Sequence, residues 1–101
     1  MIVVLAQVES SQGSIETIRG ALMEMEKASR AEQGCYDYTF CQEIGDPSRL
    51  RIVELWESMD ALRAHFAPPH MTRFREVLAG APPKSMEVKV HELGNQLELP
   101  S

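Results

Sequence analysis

The chain begins with an apolar run rich in β-branched residues and then changes to a helical spacing of apolar positions. The segment IVVLAQVES, residues 2–10, is rich in β-branched residues and predicts a first strand. Within residues 15–32 the apolar positions recur every three or four residues, which predicts an amphipathic helix. Ser14 is its expected N-cap and Gly34 its expected end. The residues expected on its buried face are Ile15, Ile18, Leu22, Met25 and Ser29.

Two further alternating segments predict a β-hairpin. They are CYDYTFCQE, residues 35–43, and LRIVELWE, residues 50–57. The sequence between them has turn chemistry, and its Asp46-Pro47 step suits a type I turn. The pairs that this register predicts are Gln42–Leu50, Phe40–Ile52, Tyr38–Glu54 and Tyr36–Trp56. The aromatic side chains of both strands then surround the single carboxylate of Glu54.

A broken helix is expected after the hairpin. Ser58 can cap a short helix that runs to about Phe66, and Pro68-Pro69 ends that helix. The segment HMTRFREVLA, residues 70–79, predicts a second helical piece before the Gly and Pro residues that follow it. The two pieces together take the place of one crossover helix.

The alternating segment 85–93 predicts a last strand, so the element order is β-α-β-β-α-β. This order predicts an α+β, ferredoxin-like fold with a four-stranded antiparallel sheet and helices on one face. We expect one domain over residues 1–93 and a C-terminal tail over residues 94–101. Because Val3 and Leu5 make the first strand apolar on its second face as well, we expect a second copy of the chain to cover that face, forming a homodimer through the sheet.

Composition excludes several classes of partner. The 101 residues are 44% apolar with a net charge of −5, and the pI is about 5.1, so nucleic acid and anionic membranes are not expected partners. The longest apolar run, MIVVLA, is too short to span a bilayer and lacks the features of a signal peptide. We therefore expect a cytoplasmic location.

Neither a metal nor an organic cofactor is indicated by the sequence. Cys35 and Cys41 would lie ~20 Å apart on one strand, too far for a disulfide. His65, His70 and His91 do not share the spacing of a metal site. The chain has no Gly-rich phosphate loop and no nucleophile elbow.

Four residues between positions 53 and 70 could carry chemistry. A carboxylate such as Glu54 on an apolar strand face must be paired, hydrogen-bonded or protonated. His65 and His70 fall at the margins of the apolar stripes of their helices, where an imidazole can face a cavity or simply bond a loop carbonyl. Trp56 can hold a planar ligand or be a core residue. The residues alone leave the structural and the functional interpretations open.

The central part of the chain resembles the antibiotic biosynthesis monooxygenase family, which includes cofactor-independent quinol monooxygenases. The resemblance covers about residues 32–75 and is carried by the Gly34-Cys35 step with Tyr38 after it, the Asp-Pro turn, VELWES, ALRAH and PPHMTRF. It implies a subunit of a dimeric α/β barrel with a pocket between sheet and helices. It also implies that Trp56 lines this pocket.

The resemblance implies oxidation of a small phenolic or quinol-type aromatic by dioxygen, without a metal or organic cofactor. The implied proton acceptor is His65, with Glu54 orienting or assisting it. The residues expected to bind the substrate are Trp56, Tyr38, Phe40, Phe66 and His70. Haem degradation is disfavoured, because Gln7, His65 and Arg75 stand where a related haem-degrading group has Asn, Trp and His. Two alternatives remain: a non-catalytic stress-response or binding barrel, and an isomerase of a small oxygenated metabolite.

Overall fold

A computed structural model describes residues 1–101, and it has the predicted element order. The second helix is broken in two, as the double proline indicates. The elements are β1 (Ile2–Glu9), α1 (Ser14–Arg30), β2 (Cys35–Gln42), β3 (Arg49–Trp56), α2 (Met59–Ala64), α3 (Pro69–Gly80) and β4 (Ser85–Glu92).

The four strands form one antiparallel sheet in the order β2-β3-β1-β4. The two helical connections place the first and last strands side by side, and the hairpin β2-β3 lies at the other side of β1. This is the ferredoxin-like arrangement, so the predicted fold class is confirmed. No helix combines the length and apolar character needed to cross a bilayer.

The predicted hairpin register is confirmed at its turn end and is wrong at the start of β2. Gln42 pairs with Leu50 and Tyr38 pairs with Glu54, as expected. The register then shifts between Cys35 and Asp37, so Cys35 faces Trp56 in place of Tyr36. The extra residue of this irregularity is Tyr36, and its side chain is exposed.

The buried face of α1 consists of the five residues that the helical spacing predicts. Its ends differ from the prediction. The N-cap is Gly13 with φ 81°, without a side-chain cap, and Ser14 is already the first helical residue. The helix ends at Arg30, four residues before Gly34, because two successive tight turns lead the chain into β2. In contrast, Ser58 caps α2 as expected, since its Oγ accepts a hydrogen bond from the Ala61 N–H over 3.2 Å.

The core consists of two apolar clusters with space between them. The first centres on Trp56 and Met25, and the second joins α1 to Leu50 of β3. Phe40 and Phe74 pack against both clusters, with ring centroids 5.9 Å apart. The two rings therefore bridge a gap in the core, and this gap is the cavity described below.

The opposite face of the sheet has no helix over it. Leu5 lies there between Val53 of β3 and Lys89 of β4, and its side chain is 45% exposed. Residues 93–101 form neither helix nor strand, and Leu97 and Leu99 in this tail are almost fully exposed. These apolar side chains are available for contact with another molecule.

Candidate active site

A cavity of about 240 Å³ lies between the sheet and the helices. Of its 23 lining residues, 18 are hydrophobic, so the chamber favours an apolar ligand. It borders β4, where Met86, Val88 and Val90 contribute half-exposed side chains to its wall. The polar groups that line it are few, and they are Ser10, Tyr38, Glu54, His65 and Arg75.

Glu54 projects into this cavity from the middle of β3 and is 8% exposed. The indole Nε1–H of Trp56 donates a hydrogen bond of 2.9 Å to Glu54 Oε1. Burial raises the pKa of Glu54 above its ordinary value, and the Trp56 hydrogen bond opposes that rise. The result is a carboxyl group that can hold or release a proton nearer to neutral pH than an exposed glutamate.

His65 enters the cavity from the C-terminal end of α2 and is 3% exposed. Its ring centroid lies 4.8 Å from that of Trp56 and 5.3 Å from that of Tyr38. Its Nδ1 lies 2.6 Å from Glu32 Oε2. Because a carboxylate only accepts, Nδ1 carries the hydrogen, and Nε2 remains as the basic nitrogen with no hydrogen bond from the protein.

The protonation of His65 is set by two opposing effects. Burial lowers its pKa, while the hydrogen bond and the negative charge of Glu32 raise it. Burial is the larger effect, and the nearby His70 and Arg75 lower the pKa further. The ring of His65 therefore stays neutral, and able to accept a proton, down to a lower pH than the ring of an exposed histidine.

Glu32 is the residue that sequence reasoning missed. It lies in the turn between α1 and β2, where no periodicity draws attention to it. Besides His65, its carboxylate contacts His70, whose Nε2 lies 2.9 Å from Glu32 Oε1. Glu32, and not Glu54, holds the imidazole of His65, since Glu54 bonds Trp56. The expectation that Glu54 assists His65 in proton transfer stays a prediction.

A glycine allows this turn to approach α2. Gly34 has φ 81°, and a Cβ placed on it would lie 2.7 Å from the Cβ of Ala61. Its carbonyl accepts a hydrogen bond of 2.7 Å from the Glu57 N–H. A side chain here would push the turn away from α2, and with it Glu32 away from His65.

The cavity brings together five of the seven predicted site residues. Its lining includes Tyr38, Phe40, Glu54, His65 and Phe66. Burial raises the pKa of Tyr38 strongly, and the charge of Glu54 adds to this rise, so its hydroxyl stays protonated and can donate to a ligand.

The other two residues lie outside the cavity. Trp56 is fully buried behind Glu54 and His65, so the expectation that it lines the pocket is wrong. His70 lies in the first turn of α3 and faces Glu32. The structure adds Phe74 and Arg75 to the lining, with the Arg75 guanidinium 5.9 Å from the ring centre of Phe66.

Solved structures share this fold over nearly their whole length. A candidate antibiotic biosynthesis monooxygenase from Deinococcus radiodurans superposes with a TM-score of 0.89 at 22% identity, covering 100% of both chains. The protein Rv0793 of Mycobacterium tuberculosis gives a TM-score of 0.83 at 23% identity, covering 96% of this chain and 98% of its own. At such identities the likeness shows the fold alone, that of a ferredoxin-like α+β protein.

The sequence itself shows the family. The profile of the antibiotic biosynthesis monooxygenase family matches residues 1–77, and the chain belongs to this family. An uncharacterized protein of Synechocystis sp., sll1783, is 29% identical over 65 residues, which are 64% of this chain. The match spans 44% of that relative's length.

Proposed function

We propose that this protein is a cofactor-independent monooxygenase that oxidises a small phenolic or quinol-type aromatic with dioxygen. The observation that carries the proposal is the state of His65: its Nδ1 is held by Glu32, and its free Nε2 belongs to a buried ring on the wall of an apolar cavity. An imidazole in this state is suited to take a proton from a bound hydroxyl group.

The size and lining of the cavity support an aromatic ligand. An engineered protein cavity of about 150 Å³ binds benzene, and the cavity here is larger at about 240 Å³. Phe40, Phe66 and Phe74 supply ring faces and edges, and Tyr38 supplies a hydroxyl donor. These features favour a ligand with one substituted ring or two fused rings.

Two acid–base groups of the cavity have pKa values shifted toward each other. Burial raises the pKa of Glu54 and lowers that of His65. Such a pair can share the removal of a phenolic proton and its later return. The positive charge of Arg75 on the same wall stabilises the resulting phenolate.

The electrons for this reaction come from the substrate. Deprotonation makes the ring electron-rich enough to reduce dioxygen, one oxygen atom enters the ring, and the other leaves as water. Oxidation of a phenol to a quinone, or of a hydroquinone to a hydroxyquinone, provides the four electrons that dioxygen takes. No separate reductant is therefore required.

We also propose a cytoplasmic homodimer that forms through the open face of the sheet. The exposed Leu5 and the half-buried Val53 beside it give that face an apolar centre. Burying it against a second copy removes this apolar surface from water. The tail residues Leu97 and Leu99 would gain a partner surface by reaching across the two subunits.

Oxygen consumption tests the proposed reaction. Purified protein is screened against simple phenols, hydroquinones and naphthols with an oxygen electrode, and product mass is measured under ¹⁸O₂. We expect one labelled oxygen atom in the product and one dioxygen consumed for each substrate molecule. The variants His65→Ala and Glu54→Gln should lower turnover by about a hundredfold or more, whereas Glu76→Gln, at an exposed position of α3 outside the cavity lining, is the matched control.

Three results would contradict this function. Turnover without oxygen uptake would indicate an isomerase. Binding of phenols, hydroquinones or naphthols in the cavity without turnover of any of them would indicate a non-catalytic binding barrel. A barrel that binds no ligand is expected to have this space filled by side chains, whereas the cavity here is open. Unchanged turnover in both site variants would remove His65 and Glu54 from the reaction.

A further inference from the structure

We infer that Glu32, His65 and His70 form a binding site for a divalent transition-metal ion, with Zn²⁺ as the best-suited ion, on the side of His65 that faces away from the cavity. We further infer that the bound metal switches off the proposed reaction. The second inference rests on the proposed function, whereas the first does not.

The ligand atoms are already gathered. One oxygen of Glu32 lies 2.6 Å from His65 Nδ1 and the other lies 2.9 Å from His70 Nε2, and the ligand atoms of all three residues lie within 4.8 Å of one another. Ligands at zinc distances of about 2.1 Å around a tetrahedral ion are about 3.4 Å apart. Small side-chain movements therefore convert the hydrogen-bonded cluster into a coordination site.

The chemistry of the three ligands is selective. Two imidazoles and one carboxylate suit Zn²⁺ and its neighbours in the first transition row, in contrast to Mg²⁺ or Ca²⁺, which prefer oxygen ligands alone. Three protein ligands leave a fourth position for water. No Lys or Arg side chain lies within ion-pair distance of Glu32, so no positive charge of the protein competes with the metal for its carboxylate.

Three neighbouring segments of the fold contribute one ligand each. Glu32 comes from the turn that approaches α2 at Gly34, His65 from the end of α2, and His70 from the first turn of α3 after Pro69. His70 is 16% exposed in its side chain and Glu32 is 13% exposed, whereas His65 is 2% exposed. An ion can therefore reach the cluster from solvent beside His70 without passing through the cavity.

Metal binding changes the nitrogen that the reaction uses. A neutral imidazole that gives its Nδ1 lone pair to a metal carries its hydrogen on Nε2. In the free protein Glu32 imposes the opposite arrangement, with the hydrogen on Nδ1 and Nε2 basic. A metal ion at the cluster therefore removes the proton acceptor from the cavity without occupying the cavity itself.

Calorimetric titration of the chelator-treated full-length protein with ZnCl₂ tests the site. We expect one Zn²⁺ per chain, and Co²⁺ used in its place should develop the visible absorption of a four-coordinate ion. Glu32→Gln and His70→Ala should weaken Zn²⁺ binding at least tenfold, and His91→Ala should not. Because His70 is partly exposed, His70→Gln provides a second variant if His70→Ala unfolds, and circular dichroism checks each fold.

The regulatory part is tested on turnover. The turnover of each protein with Zn²⁺ is compared with its own zinc-free rate. Zn²⁺ should inhibit the parent and His91→Ala, and a chelator should reverse this inhibition. His70→Ala should require at least tenfold more Zn²⁺ for the same degree of inhibition.

The failures of the inference and of the proposed function are distinguishable. Absence of Zn²⁺ binding, or binding that Glu32→Gln and His70→Ala leave unchanged, overturns the metal site. Zinc binding with uninhibited turnover overturns the regulation alone. A protein that binds Zn²⁺ but oxidises no aromatic keeps the metal site and overturns the proposed reaction.

Discussion

Trp56 and Glu54 lie two residues apart on the same face of β3, and the indole N–H of Trp56 donates to the Glu54 carboxylate over 2.9 Å. The tryptophan is fully buried, and its N–H supplies the hydrogen bond that a buried carboxylate requires in an apolar cavity. It fixes the position of Glu54 while leaving the cavity side of the carboxylate open. One residue of this pair thus belongs to the core, and the other carries the acid–base group of the cavity.

Replacement of Glu54 by Gln is predicted to stabilise the protein at neutral pH. The pKa of Glu54 is raised by burial, so its contribution to stability is complete below the ordinary carboxyl pKa of 4.5 and is lost as pH rises through the folded-state pKa. Glutamine avoids this loss. Urea unfolding should show Glu54→Gln more stable than the parent by roughly 1 kcal/mol at about pH 8, with the difference shrinking toward about pH 4.

The control for this prediction is Glu98→Gln in the exposed tail. It should unfold like the parent at both pH values. A Glu54→Gln advantage that grew as the pH fell would contradict the assigned direction of the pKa shift.

Removal of the indole N–H is predicted to cost stability through Glu54. Trp56→Phe leaves a smaller ring and a buried carboxylate without its donor, and we expect a loss of about 2–4 kcal/mol in the free energy of unfolding. Circular dichroism melts of Trp56→Phe, Glu54→Gln and the double variant form a thermodynamic cycle. Additive effects in that cycle would show that the hydrogen bond contributes nothing beyond packing.

Gly34 is predicted to be the glycine that the fold tolerates least as alanine. Gly34→Ala meets both a positive φ and a contact of 2.7 Å with the Ala61 Cβ, so it should destabilise the protein by roughly 2 kcal/mol. Gly20→Ala is the matched control: it lies within α1 with open space around it and should stabilise by about 0.5–1 kcal/mol. Equal effects of the two substitutions on the melting temperature would contradict the role of the Gly34 turn.

The proposed dimer is predicted to depend on Leu5. Leu5→Asp places a charge at the centre of the open sheet face, where a second copy would bury it. Light scattering should find the parent at twice the chain mass of 11.3 kDa and Leu5→Asp at the chain mass itself. Met23→Asp, at an exposed apolar position on α1, should stay dimeric. A parent protein that is monomeric at micromolar concentration would contradict the proposed dimer.

The fold can be predicted from the sequence because the spacing of apolar residues distinguishes the strands from the helices. The β-branched run of β1 and the helical spacing of α1 each mark an element that packs apolar side chains into the core, so both elements can be predicted from the sequence. The hairpin register fails at Tyr36, since an irregularity near a strand end leaves no mark on the alternation. The same holds for helix ends: the sequence predicts Ser14 as the N-cap of α1, whereas the N-cap is Gly13.

The site is predictable only in part, because its decisive contacts join residues far apart in the chain. The sequence predicts Glu54 from its position on an apolar strand face and His65 from the margin of an apolar helix stripe, and both line the cavity. Glu32 was not identified, since its contact with His65 spans 33 positions and depends on the turn at Gly34. The sequence predicts His70 as a substrate-binding residue, and its contact with the Glu32 carboxylate depends on how α2 and α3 are placed in space.

The burial of the one tryptophan in the chain has a practical consequence. Trp56 contacts the ring of His65 and bonds Glu54, so all tryptophan fluorescence of the molecule comes from directly behind two residues of the cavity wall. A ligand that enters the cavity, or a proton that arrives on the imidazole beside the indole, should change the intensity of this emission. The protein thus carries a native optical probe through which occupancy can be followed in the unlabelled chain, before any substrate is known.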